Sequence, residues 1–286
     1  MVPVPELPDL EYIVERLAPL VTGRTIEEVA VKEPIVIRML LPGVGGFVDA
    51  LPGRRIDGLA RRGPFLDFRL GGGARLVVHC MLAGRLQLAA ADAKLPHTCF
   101  SLRLDSGEWL RYGDEKKMGK VYLVAAEATA AIPGFDTQGV DVISRDFTWE
   151  VFRGLARGRR HQVRVFLMDQ TALSAIGNAY ADEILFAAGI HPKTPCASLT
   201  EEELCRLYDS IVAVLRWGIE EVRKAGGPIE EKVRDHVKVR NRKGEPCPVC
   251  GTTIRRVGVL GYDSFFCPTC QPATHAIGPK RRQIPW

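Results

Sequence analysis

Long apolar runs are missing from this sequence: nothing in its 286 residues approaches the roughly 18 needed to cross a membrane. The opening MVPVPELPDLEY has no basic start and carries acids early, so it does not read as a secretory signal peptide. Internal repeats and low-complexity tracts are also absent. Hydrophobic residues at 46% and charged residues at 26% exclude a disordered or collagenous chain. What remains is a globular protein expected in the cytoplasm, with one large domain or two of roughly 100–150 residues. In that compartment the eight cysteines call for a reason other than disulfides.

The net charge of +5 is unevenly spread. Lys232–Trp286 holds 11 basic and 3 acidic residues, whereas the preceding 231 residues hold 28 and 31. A second basic cluster comprises Arg153, Arg157, Arg159, Arg160 and Arg164, with no acid among them. A basic end on a near-neutral body points to a polyanion, either nucleic acid or an anionic membrane surface.

Residues 1–140 read mostly as short strands. RRIDGLARRG, FLDFRL, RLVVHC, TCFSLRL, EWLRYG and KVYLV alternate or run apolar between turn-forming breaks, the pattern of an antiparallel β-sandwich. A helix precedes them, with Asp9 as candidate cap and Leu10, Ile13, Val14 and Leu17 on one face. Residues 147–237 switch to helical spacing. GNAYADEILFAAGIHP reads as one helix ending near Gly189, and Ser198 with Glu201 fits a capping box before a second. Residues 238–286 form a third, basic module.

That module contains Cys247-x2-Cys250 and Cys267-x2-Cys270, separated by 16 residues. Two such pairs close a tetrahedral zinc site around a β-hairpin, with no open position for chemistry. The metal therefore holds shape. Arg240, Arg242, Lys243, Arg255 and Arg256 flank it, placed to meet phosphates.

Several motifs carry a family resemblance. PELPDLE (5–11), HCMLAGRL (79–86), IGNAYADEILFAAGIHP (176–192), RKGEPCPVCG (242–251) and FFCPTCQ (265–271) occur in order. Together they resemble the formamidopyrimidine-DNA glycosylase and endonuclease VIII family of base-excision repair enzymes. The resemblance implies an α+β multidomain fold: a β-sandwich, a helix–two-turn–helix domain, a C-terminal zinc finger and a DNA cleft between the domains. It implies a monomer acting on duplex DNA with a damaged base or abasic site. It also implies catalysis by an N-terminal proline amine, here Pro5, with Glu6 moving protons on the sugar. Lacking a route to a base inside the stack, the family flips the nucleotide out. The matching wedge positions are Leu82, Lys116 and Met118, with Lys117 beside them. His79 and Asn178 match DNA-contacting positions, and Arg242, Lys243 and Tyr262 lie on the finger's DNA side.

Four departures bear on the chemistry. Pro5 follows Met1-Val2-Pro3-Val4, so its nitrogen is an amide as written and not a nucleophile. Translation starting at Val4, followed by methionine removal, frees Pro5; the amine of Val2 is the second candidate, although Glu6 is then four residues away. Pro64 stands where a lysine is usual, and Tyr262 where the finger carries an arginine. The chain between Gly226-Gly227 and Lys243-Gly244 is too short for the lesion-capping loop of 8-oxoguanine-type members. Two readings follow: a glycosylase with AP (β-)lyase activity and an altered lesion range, or a catalytically degenerate relative that binds damaged or unusual DNA. RNA binding by the same surfaces ranks below both. The protein is expected in the cytoplasm, nucleoid-associated when on DNA.

Overall fold

The computed structural model describes residues 5–43 and 45–273. Val2 and the basic tail from residue 274 lie outside them.

Helix α1 (Leu7–Val21) begins with a capping box: the Glu6 side chain accepts the Asp9 N–H, and Asp9 Oδ2 accepts the Glu6 N–H at 2.8 Å. Asp9 is thus the third helical residue and not the cap that the sequence suggested. Pro8 has no N–H to satisfy and fits the first turn, so the helix starts earlier. The strands that follow are β1 (Ile26–Val31), β2 (Ile37–Met39), then, after the single turn α2 (Phe47–Ala50), β3 (Ile56–Arg62), β4 (Phe65–Leu70), β5 (Ala74–His79), β6 (Gly84–Ala89), β7 (Thr98–Leu104), β8 (Trp109–Asp114) and β9 (Lys120–Ala125).

They form two sheets. One, ordered β1-β7-β8-β6, is antiparallel throughout. The other runs β2-β9-β5-β4-β3, and its edge pair β2/β9 is parallel, a departure from the all-antiparallel pattern expected. Leu66, Phe68, Leu76, Val78 and Leu123 of one sheet share a core with Phe100, Leu102, Leu110 and Tyr112 of the other and with α1. Each such side chain stabilises the fold by about 1.5–3 kcal/mol.

The chain divides into two compact units. The sandwich, up to Thr137, takes in Val222–Val233, and Gln138–Glu221 groups with the residues from Arg234 onward. Tyr12 Oη donates to Gly227 O at 2.8 Å, and Gln87 pairs with Glu230, which fixes the 222–233 segment to the sandwich.

The second unit contains β10 (Val140–Asp141), α3 (Trp149–Ala156), α4 (Val163–Leu167), β11 (Leu173–Ser174), α5 (Asn178–Ala188), α6 (Glu201–Ala225) up to Glu221, β12 (Arg255–Val259) and β13 (Tyr262–Phe266). Helix α5 ends on Gly189, whose φ of 65° is the left-handed geometry that glycine adopts without strain. The capping box of α6 lies two residues beyond the expected one: Thr200 Oγ1 accepts the Glu203 N–H at 3.2 Å, and Glu203 accepts the Thr200 N–H. Strands β12 and β13 form the finger hairpin. Phe186 of α5 packs with Val239, Cys247, Ile254, Phe265 and Cys267, so the finger has its core in common with a helix. Among the described residues no helix is long and apolar enough to cross a membrane.

Candidate reaction centre and nucleic-acid interface

Pro5 and Glu6 sit buried at the start of α1. The Glu6 carboxylate points along the first turn, where unpaired N–H groups favour negative charge. The Pro5 nitrogen is acylated by Val4 in this chain. Pro64 lies in the turn between β3 and β4, after Gly63 at φ 55°. The two arginines before it are engaged elsewhere: Arg61 ion-pairs with Glu11, and Arg62 donates to Phe135 O at 2.9 Å and covers the Phe135 ring. Neither stands in for a lysine at that turn.

His79 closes β5. Its Nδ1 accepts the Met81 N–H at 3.0 Å and its ring meets Phe65 edge-on. Burial pulls its pKa down to about 4, so the ring is neutral at pH 7. With Nδ1 accepting, the proton belongs on Nε2, which makes His79 an uncharged donor. Leu82 and Met118 are 44% and 42% exposed at turns of the same unit. Lys116 pairs with Glu115, and Lys117 with Glu33 at 2.8 Å.

In the second unit Asn178 is the first residue of α5, after Gly177 as cap. Arg164 Nη2 donates to Asn178 Oδ1 at 2.7 Å, which leaves the Asn178 amide N–H groups for another acceptor. Arg164 is fully buried, so this member of the Arg153–Arg164 cluster is not surface charge. Two others are neutralised locally: Arg153 pairs with Glu201, and Arg159 with Asp169. Arg164 and Arg240 both bond Asp182, which also accepts from Ser264 Oγ and the Phe265 N–H. Glu183, next to it, accepts the N–H groups of Lys238, Val239 and Arg240. Burial raises its pKa to about 7 against those donors. Arg242 is spent on Val237 O, Asp235 O and Glu245, while Lys243 is exposed. Tyr262, 56% exposed, stands at the hairpin tip beside Asp263, whose carbonyl accepts from both Arg164 and Arg240.

The sulfurs of Cys247, Cys250, Cys267 and Cys270 lie within 4.8 Å of one another. Three of the separations are 3.4, 3.5 and 3.8 Å. A zinc tetrahedron with Zn–S of about 2.3 Å has edges of about 3.8 Å, so the donor set fits the metal. The N–H groups of Val249 and Cys270 point at the sulfurs of Cys247 and Cys267, as thiolate ligands require. The remaining cysteines are separate: Cys80, Cys99 and Cys196 are buried and Cys205 is exposed.

Three family models match this architecture in order: the formamidopyrimidine-DNA glycosylase N-terminal domain over residues 4–121, its H2TH domain over 138–227, and the zinc finger found in FPG and IleRS over 244–273. A formamidopyrimidine-DNA glycosylase of Symbiobacterium thermophilum is 37% identical, covering 97% of this chain and 93% of its own. The chain belongs to the formamidopyrimidine-DNA glycosylase family. Another such enzyme, from Heliobacterium modesticaldum, is 39% identical over 94% of this chain and 100% of its own. Among solved structures, the MutM (Fpg) protein of Thermus thermophilus superposes with TM-score 0.80 at 35% identity, covering 93% of this chain and 98% of its own. The Lactococcus lactis Fpg in complex with abasic-site DNA gives 0.83 at 28% identity, over 94% and 100%. The four-cysteine site is thus a structural zinc site of a family finger. Sequence reasoning missed the buried Asp182 and Glu183, because an acid pair inside an otherwise apolar helix reads as an exposed edge. Their adjacency in ADE was the signal available.

Proposed function

We propose that this protein is a base-excision DNA glycosylase with AP (β-)lyase activity, acting as a monomer on damaged bases or abasic sites in duplex DNA. Its setting is the cytoplasm, on the nucleoid when bound. The observation that carries the reading is the Pro5–Glu6 pair buried at the head of α1, a carboxylate fixed by the helix's first turn and next in the chain to the one residue type whose free α-nitrogen is a secondary amine. Once Pro5 is relieved of Val4, its nitrogen attacks the sugar C1′ and the bond to the base breaks. The resulting Schiff base drives β-elimination of the 3′ phosphate, with Glu6 carrying protons on the sugar. An α-amine has a pKa of about 8, so a working fraction is neutral near pH 7. Leu82, Lys116 and Met118 fill the gap left by the extruded nucleotide. His79, Asn178, Lys117, Lys243 and Tyr262 face the phosphates, and Arg242, held by Val237 O, Asp235 O and Glu245, orders the loop beside Lys243.

The second reading, a DNA-binding relative without catalysis, is favoured by the acylated Pro5 together with Pro64 and Tyr262. Borohydride trapping on abasic-site DNA separates the two, run on chains beginning at Pro5 and at Met1. Trapping by the Pro5 form supports catalysis; trapping by neither form leaves the binding module. Intact mass of natively expressed protein reports which form exists, since a mass that includes Val2–Val4 excludes the Val4 start.

A further inference from the structure

Two turns of the sandwich unit hold apolar side chains in solvent, Leu82 at 44% and Met118 at 42% exposure. The residue before each is in the left-handed region: Met81 at φ 49° and Lys117 at φ 52°. Side chains other than glycine persist there only when their surroundings over-determine them. In the first turn the His79 ring accepts the Met81 N–H, and Gly84 N–H returns to Cys80 O at 2.8 Å. In the second, Asp114 Oδ1 accepts the Lys116 N–H at 3.0 Å and Oδ2 accepts the Gly119 N–H at 2.6 Å.

One side chain touches both turns. Tyr112, fully buried on β8, stacks on Phe100 with centroids 5.5 Å apart. A Cβ on Gly84 would fall 2.3 Å from the Tyr112 hydroxyl, and a Cβ on Gly119 would fall 1.8 Å from it. The hydroxyl is therefore wedged between the bases of the two turns. Gly84 is itself the strand partner of Asp114 across β6/β8. Burial raises the hydroxyl's pKa and the Asp114 carboxylate beside it adds to that, so the group stays neutral and spaces the two turns.

We propose that Leu82 and Met118 act as one coupled wedge, with Tyr112 and Asp114 as positioning residues that fix the spacing of the two turns. This rests on the reading that these side chains enter the helix stack when a nucleotide leaves it. A gap one nucleotide wide has one size, and a pre-spaced pair fills it without reordering each turn separately.

The test uses the full chain and a duplex carrying 2-aminopurine opposite an abasic-site analogue, with stopped-flow fluorescence reading the unstacking step. Leu82→Ala, Met118→Ala and the double variant are compared in the native and Tyr112→Phe backgrounds. Each single substitution slows unstacking. In the native background the double variant is slowed less than the product of the singles, by at least about threefold. In the Tyr112→Phe background the effects multiply, while Tm and affinity for undamaged duplex stay unchanged. If Tyr112→Phe lowers Tm, Asp114→Asn, which sets an amide donor against a backbone N–H, serves as the second background with the same expectation. Effects that multiply in the native background overturn the coupling and leave the wedge standing. Singles that do not slow unstacking overturn the wedge reading itself.

Discussion

Replacing Asp182 by Asn exchanges one carboxylate oxygen for an NH2 in a side chain of matched volume and should disable much of the second unit. Four donors converge on this carboxylate: Arg164 Nε at 3.2 Å and Ser264 Oγ at 2.6 Å on Oδ1, Arg240 Nη1 at 2.8 Å and the Phe265 N–H at 3.2 Å on Oδ2. An amide keeps one acceptor and turns the other into a donor. Either orientation sets an NH2 against two N–H or O–H groups and leaves the buried Arg164 and the half-buried Arg240 without this counter-charge. Two charge-assisted bonds at about 1.5–3 kcal/mol each give about 3–6 kcal/mol, and a buried ion pair that loses one partner costs about 3–5 kcal/mol, so about 3–5 kcal/mol is expected. Because the chain has two compact units, global unfolding is the wrong ruler. Hydrogen exchange at the Phe265 amide is local. At tenfold per 1.4 kcal/mol it should quicken by about a hundredfold to a few thousandfold, along with the amides of residues 238–240. Ser264→Ala, which removes one neutral donor, should quicken it by no more than about tenfold. An Asp182→Asn change below about fivefold would mean that the two arginines are held by something other than this acid, and the account of the site would fail.

His79 gives a pH signature. Its folded pKa of about 4 lies below the usual 6.5, so the unfolded chain takes up the proton first as pH falls. The stabilisation is complete above pH 6.5 and drains toward pH 4. Calorimetry of the native protein against His79→Gln should show their stability difference shrinking by about 2–3 kcal/mol between pH 7 and pH 4.5, and a constant difference would refute it. Cys247→Ser or Cys270→Ser should abolish stoichiometric zinc in a metal assay and lower DNA affinity while the sandwich transition stays in place; loss of both transitions contradicts the division into units. Affinity for duplex DNA should fall with salt at a log–log slope steeper than about −3, at about 0.9 per neutralised phosphate. A flat response is incompatible with a phosphate-gripping surface.

Much of this was legible from local pattern. The zinc ligands come in pairs with two residues between them, and six strands alternate or run apolar, so each declares itself within a short window. Strand β1 did not: Glu27 and Glu28 are consecutive, and a register shift between Ile26 and Glu28 breaks the alternation. Strand β2 has three half-buried residues at a sheet edge, too short to carry a period. Its parallel pairing with β9 depends on residues more than eighty positions away. Arg164 was illegible for a related reason. In sequence it belongs to a basic run, and its meaning depends on Asp182 and on the Asp263 carbonyl, 99 residues downstream. The reading of polyanion binding from that run survives only for its exposed members. The helix starts were misplaced by two or three residues: at α6 Ser198/Glu201 and Thr200/Glu203 satisfy the same spacing, and at α1 the cap is Glu6, a residue type outside the usual capping set.

The common core of α5 and the finger has a consequence for how such chains can be rearranged. Ending the chain before Cys247 would strip Phe186 of its neighbours Cys247, Ile254, Phe265 and Cys267, and would remove Gln271 from the Ile190 carbonyl it satisfies. A crossover that exchanged the finger alone between relatives would have to match a new hairpin to an old helix at Phe186, Asp182 and Glu183 together. The smallest heritable block therefore reaches back to α4, whose Arg164 bonds Asp182 and the Asp263 carbonyl, even though nearly eighty residues separate that helix from the first zinc ligand.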